Sequence, residues 1–194
     1  MFKLLAAAFL FCLVGCTGLE QQALTAVRLN IPGGVCSGTV VSPTVILTAG
    51  HCFEADEEGY TPTVMQVNGY PVKILAVVFD GNDHALVRVD FFFQQWASIG
   101  KQLQPGARVH YWGNPAGLNF VYREGYVTGY EHGTMVLDVN GFFGDSGAGL
   151  FDENGDVVGT INTINYYPHE GLVFTLMGSP ALEFTPLQYH MMGI

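Results

Sequence analysis

Basic side chains are scarce in this sequence. Seven Lys and Arg stand against 17 Asp and Glu in 194 residues, a formal charge of −10 with histidine neutral. Nucleic-acid surfaces depend on cations that neutralise phosphates, so this balance argues against a nucleic-acid partner. Long apolar runs are lacking as well. The run Leu4 to Val14 is too short to span a bilayer comfortably. Long amphipathic stretches are also missing; short apolar segments alternate with turn residues among 25 Gly and 9 Pro, which points to an all-β chain. Of only four cysteines, Cys12 and Cys16 fall in the first sixteen residues. The others, Cys36 and Cys52, lie near His51 without the paired spacing of a zinc site, so neither a metal nor any other cofactor is expected.

The N-terminus reads as an address. Met1-Phe2-Lys3 supplies a positive start, the apolar run follows, and Leu13-Val14-Gly15-Cys16 closes it with small residues. Residues 1–16 are therefore expected to be a signal peptide and the protein to be exported. The closing four residues resemble a bacterial lipobox, which implies cleavage before Cys16, lipidation of that cysteine and anchoring to the cell envelope. An ordinary secretory signal with a chance cysteine is the alternative.

A chain of this length buries a core either as one unit or as two small barrels. Strand signals fall at Leu24 to Ile31, Gly38 to Val41, Val45 to Leu47, Thr63 to Val67, Val72 to Phe79 and Ala85 to Val89. Asn68-Gly69 marks a tight hairpin, because both positions tolerate positive φ. Residues 17–93 are thus expected to form a barrel of about six strands, and 94–105 a linker. In 106–194, strands are expected at Ala107 to Trp112, Asn119 to Tyr130, Met135 to Val139, Ala148 to Phe151, Val157 to Thr163 and Leu172 to Leu176.

The most chemical segment is Gly144-Asp145-Ser146-Gly147-Ala148-Gly149. A serine hydroxyl is a poor nucleophile at neutral pH and needs a base beside it and N–H donors for the developing oxyanion. Flanking glycines allow the N–H groups of Gly144 and Ser146 to converge. His51, in Thr48-Ala49-Gly50-His51-Cys52, is the candidate base.

Both segments resemble the trypsin/chymotrypsin-like serine peptidases, whose signatures read T-A-A/G-H-C and G-D-S-G-G. Pro105-Gly106-Ala107-Arg108-Val109 with Gly113-Asn114-Pro115-Ala116-Gly117-Leu118, and Asn154 to Thr163, are similar to blocks of the HtrA-type envelope proteases. The likeness spans roughly residues 24–178, and the residues after Gly178 are too few for a further PDZ-like module. It implies two six-stranded antiparallel β-barrels with the active site between them. It implies Asp83, in Asn82-Asp83-His84-Ala85-Leu86, as the carboxylate that orients His51. It also implies a disulfide between Cys36 and Cys52, and a specificity pocket near Asn140, Asn162 and Ile164. With no acid at the pocket base, a small or apolar residue before the scissile bond is expected. Family zymogens bury a new Ile-Val N-terminus against the aspartate before the nucleophile. Asp145 is present and that partner is not, so Asp145 is expected to be hydrogen-bonded locally or to face solvent.

Other features have plainer readings. His84 points away from the Asp83 face of an extended strand and is expected to be structural. Glu54-Ala55-Asp56-Glu57-Glu58 lacks EF-hand spacing and reads as a solvated loop. Phe91-Phe92-Phe93 and Trp96 are expected to pack between the barrels. The whole reads as an exported serine endopeptidase acting on polypeptides. Its rivals are a non-catalytic binding module of the same fold and a structural envelope lipoprotein.

Overall fold

The computed structural model describes residues 18–54, 62–169 and 172–194. The proposed signal segment with Cys16, and residues 55–58 of the acidic run, lie outside the described residues. In the first half, β1 (Ala26–Ile31), β2 (Gly34–Ser42), β3 (Val45–Ala49), β4 (Val64–Val67), β5 (Tyr70–Phe79) and β6 (His84–Val89) close into a barrel ordered β1-β2-β3-β6-β5-β4. Its β4–β5 turn has Asn68 and Gly69 at φ of 52° and 86°, the positive pair a type I′ hairpin needs. Alternate strand residues fill the interior, with Leu29, Ile46, Val67 and Val87 in one cluster.

The second half departs from the expected six strands. Its elements are β7 (Arg108–Gly113), β8 (Val121–Glu131), β9 (Thr134–Leu137), β10 (Gly149–Phe151), β11 (Val157–Thr160), β12 (Thr163–His169) and β13 (Leu172–Ser179). They form one seven-stranded sheet in the order β11-β10-β7-β8-β9-β13-β12. The single strand expected over 157–163 breaks at Ile161 and Asn162, and β12 instead pairs with β13 from Thr163 opposite Gly178 to His169 opposite Leu172. The two edge strands, β11 and β12, are therefore consecutive in the chain, so the sheet curls back on itself. The interior holds Val109, Tyr111, Leu137, Leu150 and Ile161.

A third cluster joins the halves: Val45, Leu47 and Leu86 meet Trp112, Phe151 and Val157, together with Phe184 and Met192. The last two belong to the C-terminal segment, which ends in the helix α2 (Pro186–Met192). Ahead of β1 lies the short helix α1 (Gly18–Ala23). Among the described residues no helix is long and apolar enough to cross a membrane. Residues 94–105 run from one half to the other: the Ala97 N–H donates to the Val40 carbonyl at 2.9 Å, and Ile99 bridges to Val157. The aromatic run does not pack between the barrels as expected. Phe93 packs on the first-half core, whereas Phe91, Phe92 and Trp96 are exposed, because the backbone there follows β2, with Phe93 N–H bonded to the Pro43 carbonyl at 2.8 Å.

Candidate active site

His51 sits in a single 3-10 turn (Gly50–Cys52) that ends β3. The turn is tied on both sides. Cys52 is disulfide-bonded to Cys36 on β2, and the Gly50 N–H donates to the Asp83 carbonyl at 2.7 Å. Asp83 precedes β6 in left-handed backbone, φ 62°, a conformation that short polar side chains tolerate best. Asp80 holds that conformation. Its carboxylate accepts the N–H groups of Asn82 (2.8 Å), His84 (3.1 Å) and Glu183 (3.0 Å) and Nδ1 of His84 (2.7 Å). His84 is fully buried, so it supports the turn from behind, in keeping with a structural role.

The Asp83 carboxylate faces His51. Both of its oxygens lie 3.0 Å from His51 Nδ1, and Oδ1 also accepts the His51 backbone N–H at 2.8 Å. The hydrogen bond to Asp83 holds the imidazole pKa above its ordinary value, against the opposing effect of burial, with the charges of Asp83 and Glu54 adding to it. Partial burial by itself would raise the Asp83 carboxyl, but the hydrogen bonds and charge of His51, with the Asn162 hydrogen bond, together outweigh it and the pKa is lowered. Asp83 is thus a carboxylate that fixes the Nδ1–H tautomer and leaves Nε2 as a free lone pair.

Asn162 approaches from the other half. Its Nδ2 donates to Asp83 Oδ2 at 3.0 Å and to the Asp83 carbonyl, and the Thr160 hydroxyl donates to its Oδ1, which sets the amide's orientation. Expected only as a pocket residue, Asn162 is also the second support of Asp83. It owes that position to the break between β11 and β12.

Ser146 follows a tight turn. The Asp145 N–H donates to the Phe142 carbonyl at 3.0 Å, and Ala148 N–H to the Asp145 carbonyl at 2.9 Å. Gly147 has φ 84°, and a Cβ there would lie 2.1 Å from Thr48 Oγ1 and 2.4 Å from the Ser37 carbonyl. Only glycine lets this turn press onto β2 and β3, where Ser146 O accepts the Ser37 N–H at 2.8 Å. Among the described residues neither Gly144 N–H nor Ser146 N–H donates to a protein acceptor.

His51 and Ser146 share two depressions. One, of about 510 Å³, lies over the Cys36–Cys52 disulfide and includes Glu54, Phe143 and Gly144. The other, of about 450 Å³, is walled by Phe142, Phe143, Ile161, Asn162, Thr163, Ile164 and Met177. Ile164 lines it as expected. Asn140 does not; it is exposed, and its carbonyl accepts the Tyr111 hydroxyl at 2.8 Å.

Asp145 is neither solvent-facing nor held only by local bonds. Its fully buried Oδ2 accepts Arg123 Nη1 at 2.6 Å and the Phe142 N–H at 2.9 Å, with the Tyr111 oxygen 3.3 Å away. Burial lifts its pKa above the ordinary carboxylate value despite the Phe142 and Arg123 bonds. Arg123 on β8 is therefore the cation that pairs with this buried carboxylate. Its place in the sequence offers no signal, since Arg28, Lys73, Arg88 and Arg108 also lie inside strands.

The comparisons with known proteins bear on the fold and the family. No curated protein matches the chain. Among solved structures, a Glu endopeptidase in complex with MPD superposes with a TM-score of 0.70 at 18% identity, covering 88% of this chain and 89% of that one. The active form of the Rv3671c protease from M. tuberculosis gives a TM-score of 0.71 at 19% identity over 91% of this chain and 84% of its own. The inactive form of that protease gives 0.69 at 18% over 91% and 93%. At such identities the likeness is one of fold. A family model, the trypsin-like peptidase domain, matches residues 36–159, a stretch that includes His51, Asp83 and Ser146, and the chain therefore belongs to the trypsin-like peptidases.

Proposed function

We propose that this peptidase is a serine endopeptidase that cleaves polypeptides through Ser146, His51 and Asp83. One observation carries the reading: Asp83 holds His51 by Nδ1 in the tautomer a base needs, over a groove that His51 and Ser146 share. Ser146 Oγ attacks the substrate carbonyl carbon and its proton passes to His51 Nε2. The carbonyl oxygen becomes an oxyanion received by the N–H groups of Gly144 and Ser146. His51 then protonates the leaving amine as the C–N bond breaks, giving an acyl-enzyme. Water, deprotonated by His51, attacks the ester and regenerates Ser146. Apart from His51, no described residue lining the depression walled by Phe142, Ile161, Ile164 and Met177 carries an ionisable side chain, which supports an apolar residue before the scissile bond.

Export completes the proposal. The Cys36–Cys52 disulfide suits an oxidising compartment, and the apolar run Leu4 to Val14, closed by Leu13-Val14-Gly15-Cys16, suits a lipid-anchored mature protein beginning at Cys16. Radiolabelled palmitate should enter the wild type and be lost in Cys16→Ala. For the chemistry, a fluorophosphonate probe should label the purified wild type and spare Ser146→Ala, which should also lose peptide hydrolysis. Labelling that persists in Ser146→Ala, or hydrolysis that survives it, rejects the mechanism.

A further inference from the structure

A backbone N–H has no side chain to aim it; its direction is that of its peptide plane. In a trans peptide the C=O and the following N–H point to opposite sides. Whatever holds the Phe143 carbonyl therefore directs the Gly144 N–H, and whatever holds the Asp145 carbonyl directs the Ser146 N–H. The second is internal to the turn, through Ala148 N–H at 2.9 Å. The first comes from outside: the Ala116 N–H donates to the Phe143 carbonyl at 2.8 Å. The intervening Gly144 carbonyl is also held from outside, by Ser37 Oγ at 2.7 Å.

Ser37 is fully buried. Its oxygen accepts Asn114 Nδ2 at 2.8 Å and the Asn114 N–H at 3.1 Å. A hydroxyl has two acceptor positions and one proton, so with both positions taken the proton is left for Gly144 O. The Gly113–Ala116 segment fits the turn closely. A Cβ on Gly144 would lie 2.3 Å from Asn114 O, and one on Gly113 would lie 2.0 Å from Asp145 Oδ1.

We infer that Ser37 and Asn114 are positioning residues for the oxyanion site: Ser37 fixes the Gly144–Asp145 peptide on one side of Gly144, and the segment that Asn114 anchors to Ser37 carries the Ala116 N–H, which fixes the Phe143–Gly144 peptide on the other side and with it the direction of the Gly144 N–H. The inference rests on the proposed serine mechanism and adds two residues that touch no reacting atom. The test is steady-state hydrolysis by Ser37→Ala and Asn114→Ala, with melting temperature and the inhibition constant of a substrate-matched peptide aldehyde, whose hemiacetal oxygen occupies the oxyanion position. Removing an oxyanion donor outright lowers kcat by about 10²- to 10³-fold, so loosening one should lower it by roughly tenfold to a hundredfold. KM should stay constant and the aldehyde should weaken by the same factor as kcat/KM. Ser37→Thr, which keeps the hydroxyl, should restore kcat. Should Ser37→Ala fail to fold, Asn114→Ala, which spares the backbone donor, carries the same comparison. Unchanged kcat in a folded variant, or a fall in kcat without a matching loss of aldehyde affinity, overturns the inference. Hydrolysis that survives Ser146→Ala overturns the serine mechanism itself, and so is distinguishable from failure at Ser37.

Discussion

At the residue scale the site is governed by two aspartates in opposite environments. Asp83 is only partly buried, and the hydrogen bonds and charge of His51, with the Asn162 bond, together overcome the desolvation that would raise it. It stays ionised and in turn holds His51 above its usual pKa. In the proposed mechanism neutral His51 is the base, so kcat/KM should fall as pH drops through that raised pKa, with an acid limb above the ordinary imidazole value of about 6.5. Asp83→Asn should move the limb down in a pH profile and lower kcat by about 10⁴-fold, through loss of the carboxylate that selects the tautomer. Asp145 is the reverse case, a buried carboxylate raised by desolvation and paired with Arg123. Arg123→Ala leaves that charge without its cation, so urea denaturation should show a loss of about 3–5 kcal/mol. His51, Asp83 and Ser146 could be proposed from the sequence because each lies in a contiguous block whose glycines and small residues meet local backbone demands. Arg123 and the second role of Asn162 could not. Their partners lie 22 and 79 residues away, and only the sheet register brings them together.

Among the elements, the ones recognised from sequence are those whose signals are local. Strands with alternating or continuous apolar residues and an Asn-Gly turn announce the first barrel; the β11–β12 break does not, since nothing in Val157 to Thr163 demands it. The break is imposed by tertiary structure, where Asn162 turns towards Asp83 and β12 finds β13. Helix α2 is different, because its signature is in the chain and strand periodicity overlooks it. Thr185 caps with its side chain accepting the Gln188 N–H at 3.2 Å, Gln188 Oε1 accepts the Thr185 N–H at 2.7 Å, Pro186 opens the first turn and Gly193 closes the helix at φ 74°. That is a capping box with a glycine stop. The other element-scale restraint is the Cys36–Cys52 bridge, which closes a loop of sequence separation 16 that contains β3. Replacing both cysteines with alanine should lower unfolding free energy by about 3 kcal/mol on the loop-entropy estimate. Because the bridge also ties down the His51 turn, chemical denaturation should be compared with kcat in the same double variant, and kcat should fall as the turn loosens.

For the whole molecule, the joint between the halves decides how the protein comes apart. Val45, Leu47 and Leu86 on one side and Trp112, Phe151 and Val157 on the other share a single buried cluster, and Phe184 and Met192 close it from the C-terminal segment. Backbone and side-chain bonds cross the same joint, including Ser37 N–H to Ser146 O at 2.8 Å and Gly149 N–H to Thr39 Oγ1 at 3.0 Å. Neither half can open without exposing apolar area that belongs to both, and the groove cannot survive the loss of either. Unfolding should therefore be one cooperative transition, with far-ultraviolet circular dichroism and the fluorescence of buried Trp112 giving coincident urea curves. Phe184→Ala tests the joint directly. The cavity it leaves should cost about 3–5 kcal/mol, and both curves should shift together with loss of hydrolysis at the same urea concentration. Two separated transitions would mean that the C-terminal segment only covers the joint; a single shifted one means that it is part of the core on which the groove is built.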